Sequence, residues 1–303
     1  SNLEPRTSNL EPRTSNLERV MTDKETWTTL KVLNWTKGYL AEKGVENARL
    51  EAEWMLCESL GLDRVGLYLN FDKPLSEGEL ATFRAMVARR AKREPLQYIL
   101  GSQEFCGLDF VVSPDVLIPR HDTEVLVAEA LKRVPADGSI LDIGLGSGCI
   151  AVALAKALQR GRVCGVECSP AALAVARENA ARNGAELELV AGSLFEQLDG
   201  RRFDMIVSNP PYIPTADLSA LEPEVRDFEP MGALDGGADG LAFYRSIIPA
   251  APGHLNRGGW LLVEIGIGQG EAVRGLFAGC GFTQIFTQQD PAGIERVVGG
   301  QIH

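Results

Sequence analysis

Short apolar runs alternate with helical patterns over the second half of the chain, and this alternation restricts the fold more than any other feature. Runs typical of buried strands lie at residues 140–143, 162–167, 187–191, 203–208 and 260–264. Helical patterns between them begin near Ser147, Pro170, Tyr244 and Gly270. Because repeated strand–helix units form a mostly parallel sheet covered by helices on both faces, we predict an α/β fold for this half.

The C-terminal end departs from this alternation. Two strand-like runs, at residues 282–288 and 294–298, are separated mainly by Asp-Pro-Ala-Gly at 290–293. A connection this short and this rich in turn residues joins antiparallel strands. The sequence therefore predicts a mostly parallel seven-stranded sheet that ends in an antiparallel hairpin.

The first part of the chain carries helical patterns instead. Apolar side chains recur at helical spacing between residues 27 and 60, and Gly61 provides a C-terminal stop. Ser76 and Glu79 form a capping box that opens a further helix. We predict a small helical domain over residues 21–94 that recruits a substrate or partner.

The remaining segments complete the predicted domain organisation. Residues 95–122 are expected to form a linker with a β-hairpin, since the pattern becomes strand-like from Gln97 and Gly107 suits a turn. Residues 123–303 are expected to form the α/β domain. Residues 1–20 contain a repeat of Ser-Asn-Leu-Glu-Pro-Arg-Thr before Met21 and are interpreted as a leader outside the fold.

Charge and composition limit the partners. Asp and Glu outnumber Lys and Arg 41 to 30, for a net charge of −11, so nucleic acid is not an expected partner. The six cysteines form no Cys-x-x-Cys pair and are expected in the reduced core. With three scattered histidines, no metal site is expected. No apolar stretch reaches the roughly 18–20 residues of a membrane span, and no secretory pattern opens the chain, so we expect a cytoplasmic location and no membrane partner. We also expect a monomer.

A glycine-rich run follows the first predicted strand. Residues 142–148 read Asp-Ile-Gly-Leu-Gly-Ser-Gly. Ligands of open α/β sheets bind beyond the carboxyl ends of the strands, where glycine lets the backbone approach them closely. Glu167 ends the next strand and can accept hydrogen bonds from both hydroxyls of a ribose. The run alone is equally typical of a tight turn.

Two cofactors compete for this run. A dinucleotide fingerprint requires Gly-x-Gly-x-x-Gly, with a helix N-terminus facing the pyrophosphate. This chain has Gly-x-Gly-x-Gly with Asp142 at its head. S-Adenosylmethionine carries a cation and an amino-acid group but no phosphate, so a nearby carboxylate is compatible with it.

A proline loop follows the apolar run 205–208. It consists of Asn209, Pro210, Pro211 and Tyr212. The prolines fix φ and remove backbone donors, so the loop offers carbonyl acceptors. The Asn side chain adds an acceptor and the Tyr adds a flat ring. Such a loop suits a planar NH2 group, although it is also compatible with a simple turn. Together with the glycine run and Glu167, in that order, it indicates a methyltransferase.

These motifs resemble those of the class I S-adenosylmethionine-dependent methyltransferases. Within that class the chain is similar to the PrmC/HemK family, the protein-(glutamine-N5) methyltransferases of peptide chain release factors. The likeness extends from Met21 to the C-terminus and includes residues 95–101 (Pro-Leu-Gln-Tyr-Ile-Leu-Gly), 117–120 (Leu-Ile-Pro-Arg) and 228–230 (Phe-Glu-Pro). The resemblance implies a Rossmann-like domain, S-adenosyl-L-methionine as cofactor, a release factor as protein substrate, and a role in modulating translation termination.

The resemblance also implies roles for individual residues. The expected cofactor-binding residues are Gly144, Leu145, Gly146, Ser147, Gly148, Glu167, Leu194 and Asn209. The expected glutamine pocket consists of Asn209, Pro210, Pro211 and Tyr212. Of these, Asn209, Pro210 and Tyr212 are expected to serve the methyl transfer itself, and Phe105 is expected to line the transfer channel.

The chain also departs from the family pattern, and two other functions remain open. Leu145 stands where Thr is usual and Ser193 where Asp often binds the adenine, so we expect cofactor affinity weaker by roughly 1–2 kcal/mol. An N6-adenine or N2-guanine methyltransferase would use a related pocket for the amine of a flipped base. A cofactor-binding adaptor that has lost catalysis is the third possibility.

Overall fold

The computed structural model describes residues 26–158 and 160–303. The leader predicted at residues 1–20 lies outside the described residues. The chain divides into two compact units, the first ending at Leu100 and the second beginning at Gly101. Each unit has a hydrophobic core of its own.

The described part of the first unit is helical. Its α-helices are α1 (Thr29–Glu42), α2 (Ala48–Leu60), α3 (Arg64–Leu69), α4 (Glu77–Arg90) and α5 (Leu96–Leu100). Gly61 ends α2 in the left-handed conformation with φ of 62°, and the capping box of Ser76 and Glu79 opens α4, so both predictions are confirmed. Met55 and Phe83 are fully buried in the core of this unit.

The strand-like pattern predicted from Gln97 is wrong over α5. The aromatic and β-branched side chains of this segment favour a strand locally. In the structure Tyr98 and Ile99 are buried, and the Ile99 amide donates to the Pro95 carbonyl at 3.2 Å. Packing of α5 against α2 and α4 therefore outweighs the local preference.

A short hairpin opens the second unit. A hairpin was predicted within residues 95–122, but as part of a linker that precedes the α/β domain. Its strands are β1 (Ser102–Phe105) and β2 (Leu108–Val111), and Gly107 makes the turn with φ of 72°. Asn179 holds β2 by donating to the Val111 carbonyl and accepting from the Val111 amide. The hairpin thus packs on the α/β core of its own unit.

The predicted seven-stranded sheet is confirmed. Its strands are β3 (Ser139–Ile143), β4 (Arg162–Glu167), β5 (Leu187–Ala191), β6 (Phe203–Ser208), β7 (Leu255–Glu264), β8 (Thr283–Gln289) and β9 (Glu295–Gln301). The spatial order is β5-β4-β3-β6-β7-β9-β8. The first five are parallel, while β9 pairs antiparallel with both β7 and β8. The strand order reverses beside β3, and a crevice at such a point is where open α/β sheets bind ligands.

Helices cover both faces of the sheet. They are α6 (Glu124–Leu131), α7 (Cys149–Ala157), α8 (Pro170–Arg182), α9 (Pro223–Phe228), α10 (Ala242–Ala250) and α11 (Gly270–Gly279). One apolar core contains Leu126, Leu154 and Ala176, and the other contains Ile247 and Phe277. Strand β3 is buried along its whole length, because it supplies side chains to both cores.

Strand β7 begins five residues earlier than predicted. Pairing with β6 runs from Phe203–Leu255 to Met205–Trp260, so β7 carries residues 256–259 opposite a single residue. This irregularity contains Gly258 and Gly259, which hid the first half of the strand because glycine is rare in strand interiors.

The cysteines follow the prediction in part. All six are free; Cys57, Cys149 and Cys164 are buried, whereas Cys168 is exposed. The expectation of a core position is therefore wrong for Cys168, which follows the end of β4. Within the part of the chain that the structure describes, no helix is long and apolar enough to cross a membrane.

Candidate active site

A cavity of about 260 Å³ opens at the carboxyl ends of the central strands. Ile143 of β3, Glu167 of β4 and Ser208 of β6 all line it. These strands are neighbours in the sheet, so residues distant in the sequence meet here. The cavity occupies the position where this topology is expected to bind a ligand.

The glycine run forms one wall of the cavity. Gly144 and Gly146 have φ of 76° and 54°, and a Cβ built on either would meet no atom within 4 Å. The amides of Gly144 and Leu145 donate to the Val166 carbonyl at 3.0 and 3.1 Å. The backbone is thus fixed on the side of β4 and open on the other, which permits close approach of a ligand.

The carboxylate of Glu167 lies beside the glycine run. Its Oε2 accepts from the Gly146 amide at 2.9 Å, and its Oε1 accepts from the Ser169 amide at 2.8 Å. The residue is buried, with 9% of its surface exposed, and it lines the cavity. Because each carboxylate oxygen has more than one acceptor site, the fixed carboxylate can still accept from two ligand hydroxyls.

Asn209 lies on the opposite side of the cavity, directly after β6. Its Nδ2 donates to the hydroxyl of Thr123 at 3.3 Å, and Thr123 is itself buried. The Ser208 hydroxyl donates to the Ile143 carbonyl at 2.7 Å, which fixes the end of β6 against β3. With its nitrogen engaged, the Asn209 side chain has its carbonyl oxygen available as an acceptor.

The proline loop continues along the cavity, but its tyrosine does not. Pro210 and Pro211 line the cavity. Tyr212 is absent from the lining, and burial raises the pKa of its phenol to about 12. The backbone carbonyl of Tyr212 accepts from the Gln269 side chain at 2.9 Å.

Comparison with known proteins places this site in a family. A PrmC N-terminal domain family matches residues 31–101, and a methyltransferase small domain family matches residues 121–221. A release factor glutamine methyltransferase of Geobacter sulfurreducens is 70% identical over 283 residues, which cover 93% of this chain and 100% of the relative. The chain belongs to the release factor glutamine methyltransferase family.

A second relative agrees with this assignment, and a solved structure shares the fold. A release factor glutamine methyltransferase of Moorella thermoacetica is 48% identical, over 78% of this chain and 85% of the relative. The catalytic domain of hMettl16, solved in complex with MAT2A 3'UTR hairpin 6, has a TM-score of 0.55 and 16% identity, over 72% of this chain and 82% of that one. At that identity the second likeness concerns the fold alone. The match of residues 121–221 to the methyltransferase small domain family identifies the α/β unit as a methyltransferase domain.

The structure brings most of the predicted site residues of this release factor glutamine methyltransferase family member to one cavity. Those that line it are Gly144, Leu145, Gly146, Ser147, Glu167, Leu194, Asn209, Pro210 and Pro211. Gly148 and Tyr212 are not among them. Gly148 instead caps α7 with φ of 81°, and a Cβ there would approach the Ala176 Cβ at 3.2 Å, so this glycine serves the packing of α7 on α8.

Phe105 also lies away from the cavity. It is fully buried and packs edge-on against Phe110, with ring centroids 6.1 Å apart. The structure therefore gives no support to the prediction that Phe105 lines a transfer channel.

Leu145, which departs from the release factor glutamine methyltransferase pattern, packs against a glycine of β4, Gly165. Leu145 is buried, and a Cβ built on Gly165 would come within 2.4 Å of its Cδ1. Glycine at this point of β4 makes room for the leucine. The apolar side chain is thus accommodated by local packing, while its amide keeps the hydrogen bond to Val166.

Other contributors to the cavity carried little or no local signal in the sequence. Phe243 and Ile247 of α10 line it, although their spacing is that of an ordinary helix buried on one face.

Arg120 also lines the cavity and forms an ion pair with the buried Glu229. Glu229 accepts in addition from the Ile118 amide at 3.1 Å. This pair joins the motif at residues 117–120 to the motif at residues 228–230.

Glu264 is a buried carboxylic acid at the end of β7. Only 2% of its surface is exposed, and burial raises its pKa from 4.5 to about 7. The Thr123 hydroxyl and the Arg296 cation oppose this effect without cancelling it. The folded chain therefore binds this proton more tightly than the unfolded chain does.

We expect Glu264→Gln to raise the free energy of unfolding in alkaline solution. A raised folded-state pKa stabilises the fold below the unfolded pKa, and this stabilisation is lost as the pH rises through about 7. The neutral amide should therefore stabilise the chain by up to about 3 kcal/mol near pH 8.5 and by little near pH 4.5. Urea unfolding at both pH values measures the difference. Glu271→Gln, at an exposed position of α11, is the matched control, and an equal effect of Glu264→Gln at both pH values would contradict the expectation.

Proposed function

We propose that this chain transfers a methyl group from S-adenosyl-L-methionine to the side-chain amide nitrogen of a glutamine in peptide chain release factors. The observation that carries the proposal is the convergence of the glycine run, Glu167 and the Asn209 loop on one cavity. Membership of the release factor glutamine methyltransferase family supports the choice of substrate.

Several residues that line the cavity suit the chemistry of the proposed cofactor. S-Adenosylmethionine, when bound, supplies a methyl group carried on a positively charged sulfur. Gly144 and Gly146 offer the open backbone that close approach requires, and Glu167 offers two fixed oxygens for ribose hydroxyls. Leu194, in the left-handed conformation after β5, would lie against the adenine. The apolar part of the lining suits the adenine ring of this cofactor.

The proline loop would hold the substrate amide. An amide nitrogen is a poor nucleophile because its lone pair is delocalised into the carbonyl. We assign the Asn209 Oδ1 and the Pro210 carbonyl as acceptors for its two N–H bonds. They orient the nitrogen toward the methyl group and stabilise the positive charge that develops on it. Held in this way, the nitrogen would face the methyl group that the bound cofactor would supply, and one nitrogen proton would leave to solvent after the transfer.

Thr123 would keep Asn209 in the productive orientation. Its buried hydroxyl accepts from Asn209 Nδ2, so the oxygen of the same amide is turned to the opposite side. A fixed acceptor costs less reorganisation during the reaction than a mobile one. The Tyr212 ring does not line this cavity; we propose that it belongs to the glutamine pocket as a support of the loop.

Partners and location belong to the same proposal. The net charge of −11 favours a protein substrate over nucleic acid, because nucleic-acid binding relies on basic surfaces. We propose that the enzyme acts as a monomer in the cytoplasm, with the helical unit contributing to recognition of the release factor.

Incubation with isotopically labelled S-adenosylmethionine and a purified release factor tests the proposal. We expect the label on a single glutamine of the release factor, located by tandem mass spectrometry, and no label when that glutamine is replaced by glutamate. Short DNA and RNA duplexes serve as competing substrates. Label on a base, or on no substrate, would overturn the proposed function.

A further inference from the structure

Gln269 joins four backbone and side-chain groups behind the proline loop. Its Nε2 donates to the carbonyls of Tyr212 and Gly240 at 2.9 and 3.3 Å. Its Oε1 accepts from the Gly266 amide at 2.9 Å and from the Tyr244 hydroxyl at 3.4 Å. Both ends of one half-buried amide are therefore fully used at the junction between β7 and α11.

Two glycines make this arrangement possible. A Cβ built on Gly240 would lie 2.3 Å from the Tyr212 carbonyl oxygen and 2.6 Å from Gln269 Nε2. A Cβ built on Gly266 would lie 2.9 Å from the Tyr212 ring and 3.0 Å from Gln269 Oε1. Real Cβ atoms do not come this close to other heavy atoms. The space around Gln269 and Tyr212 therefore admits only glycine at these two positions.

The chain beyond Tyr212 is held by further backbone hydrogen bonds. The Ile213 amide donates to the Leu234 carbonyl at 3.1 Å, and the Ile213 carbonyl accepts from the Gly236 amide at 2.8 Å. On the other side of the loop, Ser208 is fixed to β3. Between Ser208 and Ile213, the two prolines donate no backbone hydrogen bonds. The Gln269 side chain fixes this stretch by donating to the Tyr212 carbonyl.

We propose that Gln269 is a positioning residue for methyl transfer, which fixes the Tyr212 carbonyl and thereby aims the Asn209 and Pro210 acceptors into the cavity. This inference rests on the proposed function, since it assigns Gln269 a role in that reaction. Gln269 does not line the cavity, so its effect on the reaction is transmitted through the loop. A small displacement of the loop would misalign the substrate nitrogen, and misplacement of about 1 Å can cost roughly 10²-fold in rate.

The substitution Gln269→Glu distinguishes a role of Gln269 in positioning the loop from a role in packing alone. The glutamate has the same size and keeps an acceptor for the Gly266 amide, but it places an oxygen against two carbonyls in place of the donor. We expect kcat to fall by about 10- to 100-fold, with the dissociation constant of S-adenosylmethionine changed by less than about 3-fold, because the glycine run and Glu167 are untouched. Gln269→Met has a side chain of similar length and no donor. It should also lower kcat while leaving the dissociation constant of S-adenosylmethionine nearly unchanged.

Gln288→Glu is the matched control. Gln288 lies on the edge strand β8, and its Nε2 also donates to a backbone carbonyl, that of Gln289, at 3.0 Å. We expect normal kcat and normal cofactor affinity from this variant. An unchanged kcat in Gln269→Glu, or a loss of kcat matched by equal losses of cofactor affinity and melting temperature, overturns the positioning role.

Amide hydrogen exchange tests the inference independently of activity. Peptides covering residues 209–215 should exchange about 10-fold faster in Gln269→Glu than in the unaltered chain, whereas peptides from α7 should not change. If the unaltered enzyme methylates no release factor, the proposed function fails, and the exchange experiment still decides whether Gln269 fixes the loop. Unchanged exchange over residues 209–215 overturns the inference.

Discussion

Asn209→Ala is expected to lower the turnover of release factor methylation by about 10²–10³-fold, the typical effect of removing one preorganised hydrogen-bonding group from a reacting centre. The substitution removes the proposed acceptor for the substrate amide and leaves the Thr123 hydroxyl without its Asn209 partner. Single-turnover assays at saturating cofactor and release factor measure the chemical step directly.

Two further substitutions sharpen this experiment. Asn209→Asp keeps an acceptor oxygen and is expected to retain more activity than Asn209→Ala. Asn183→Ala removes an amide that donates to the backbone of Asp109 and Asn179, away from the cavity lining, and should leave turnover near normal. Wild-type turnover in Asn209→Ala would show that the proline loop does not hold the substrate as proposed.

Glu167→Ala is expected to weaken the binding of S-adenosylmethionine by about 10²-fold or more. Each ribose hydroxyl bound to the carboxylate would form a charge-assisted hydrogen bond worth roughly 1.5–3 kcal/mol. The change also leaves the amides of Gly146 and Ser169 without their acceptor, so the glycine run loses part of its support. Isothermal titration calorimetry measures the dissociation constant without requiring turnover.

Glu188 provides the control for Glu167. It lies on the neighbouring strand β5, is exposed, and pairs with Arg201 at 2.7 Å. Glu188→Ala removes a carboxylate of the same type from the same sheet, and its expected effect on cofactor binding is below about 2-fold, since exposed pairs contribute little. Equal affinities in Glu167→Ala and the unaltered enzyme would exclude the assigned ribose contact.

The inner strands of the sheet were predictable because burial on both faces leaves a continuous apolar run in the sequence. Strands β4, β5 and β6 have the predicted bounds, and β3 differs by one residue. Errors arose where backbone irregularity or packing outweighed local pattern, as in the glycine-rich start of β7 and in helix α5. The short helix α9 was also missed, since six residues beginning at a proline carry little periodicity.

The candidate site was predictable to the extent that it follows from strand order. Residues at the carboxyl ends of β3, β4 and β6 must meet, so the glycine run, Glu167 and Asn209 could be grouped from the sequence alone. The hydrogen bond from Asn209 to Thr123 spans 86 positions, and that from Gln269 to Tyr212 spans 57. Contacts of this kind depend on the packed fold and have no local signature.

Strand β9 separates β7 from β8 in the sheet, although β8 comes before it in the chain. During synthesis, β8 therefore leaves the ribosome with no place in the sheet, and it gains one only when residues 295–301 have emerged. Until then the edge of β7 stays open, and Glu264 beside it lacks the neighbouring Val297 backbone. A chain truncated before residue 295 would therefore lose the place of β8 in the sheet together with β9 itself.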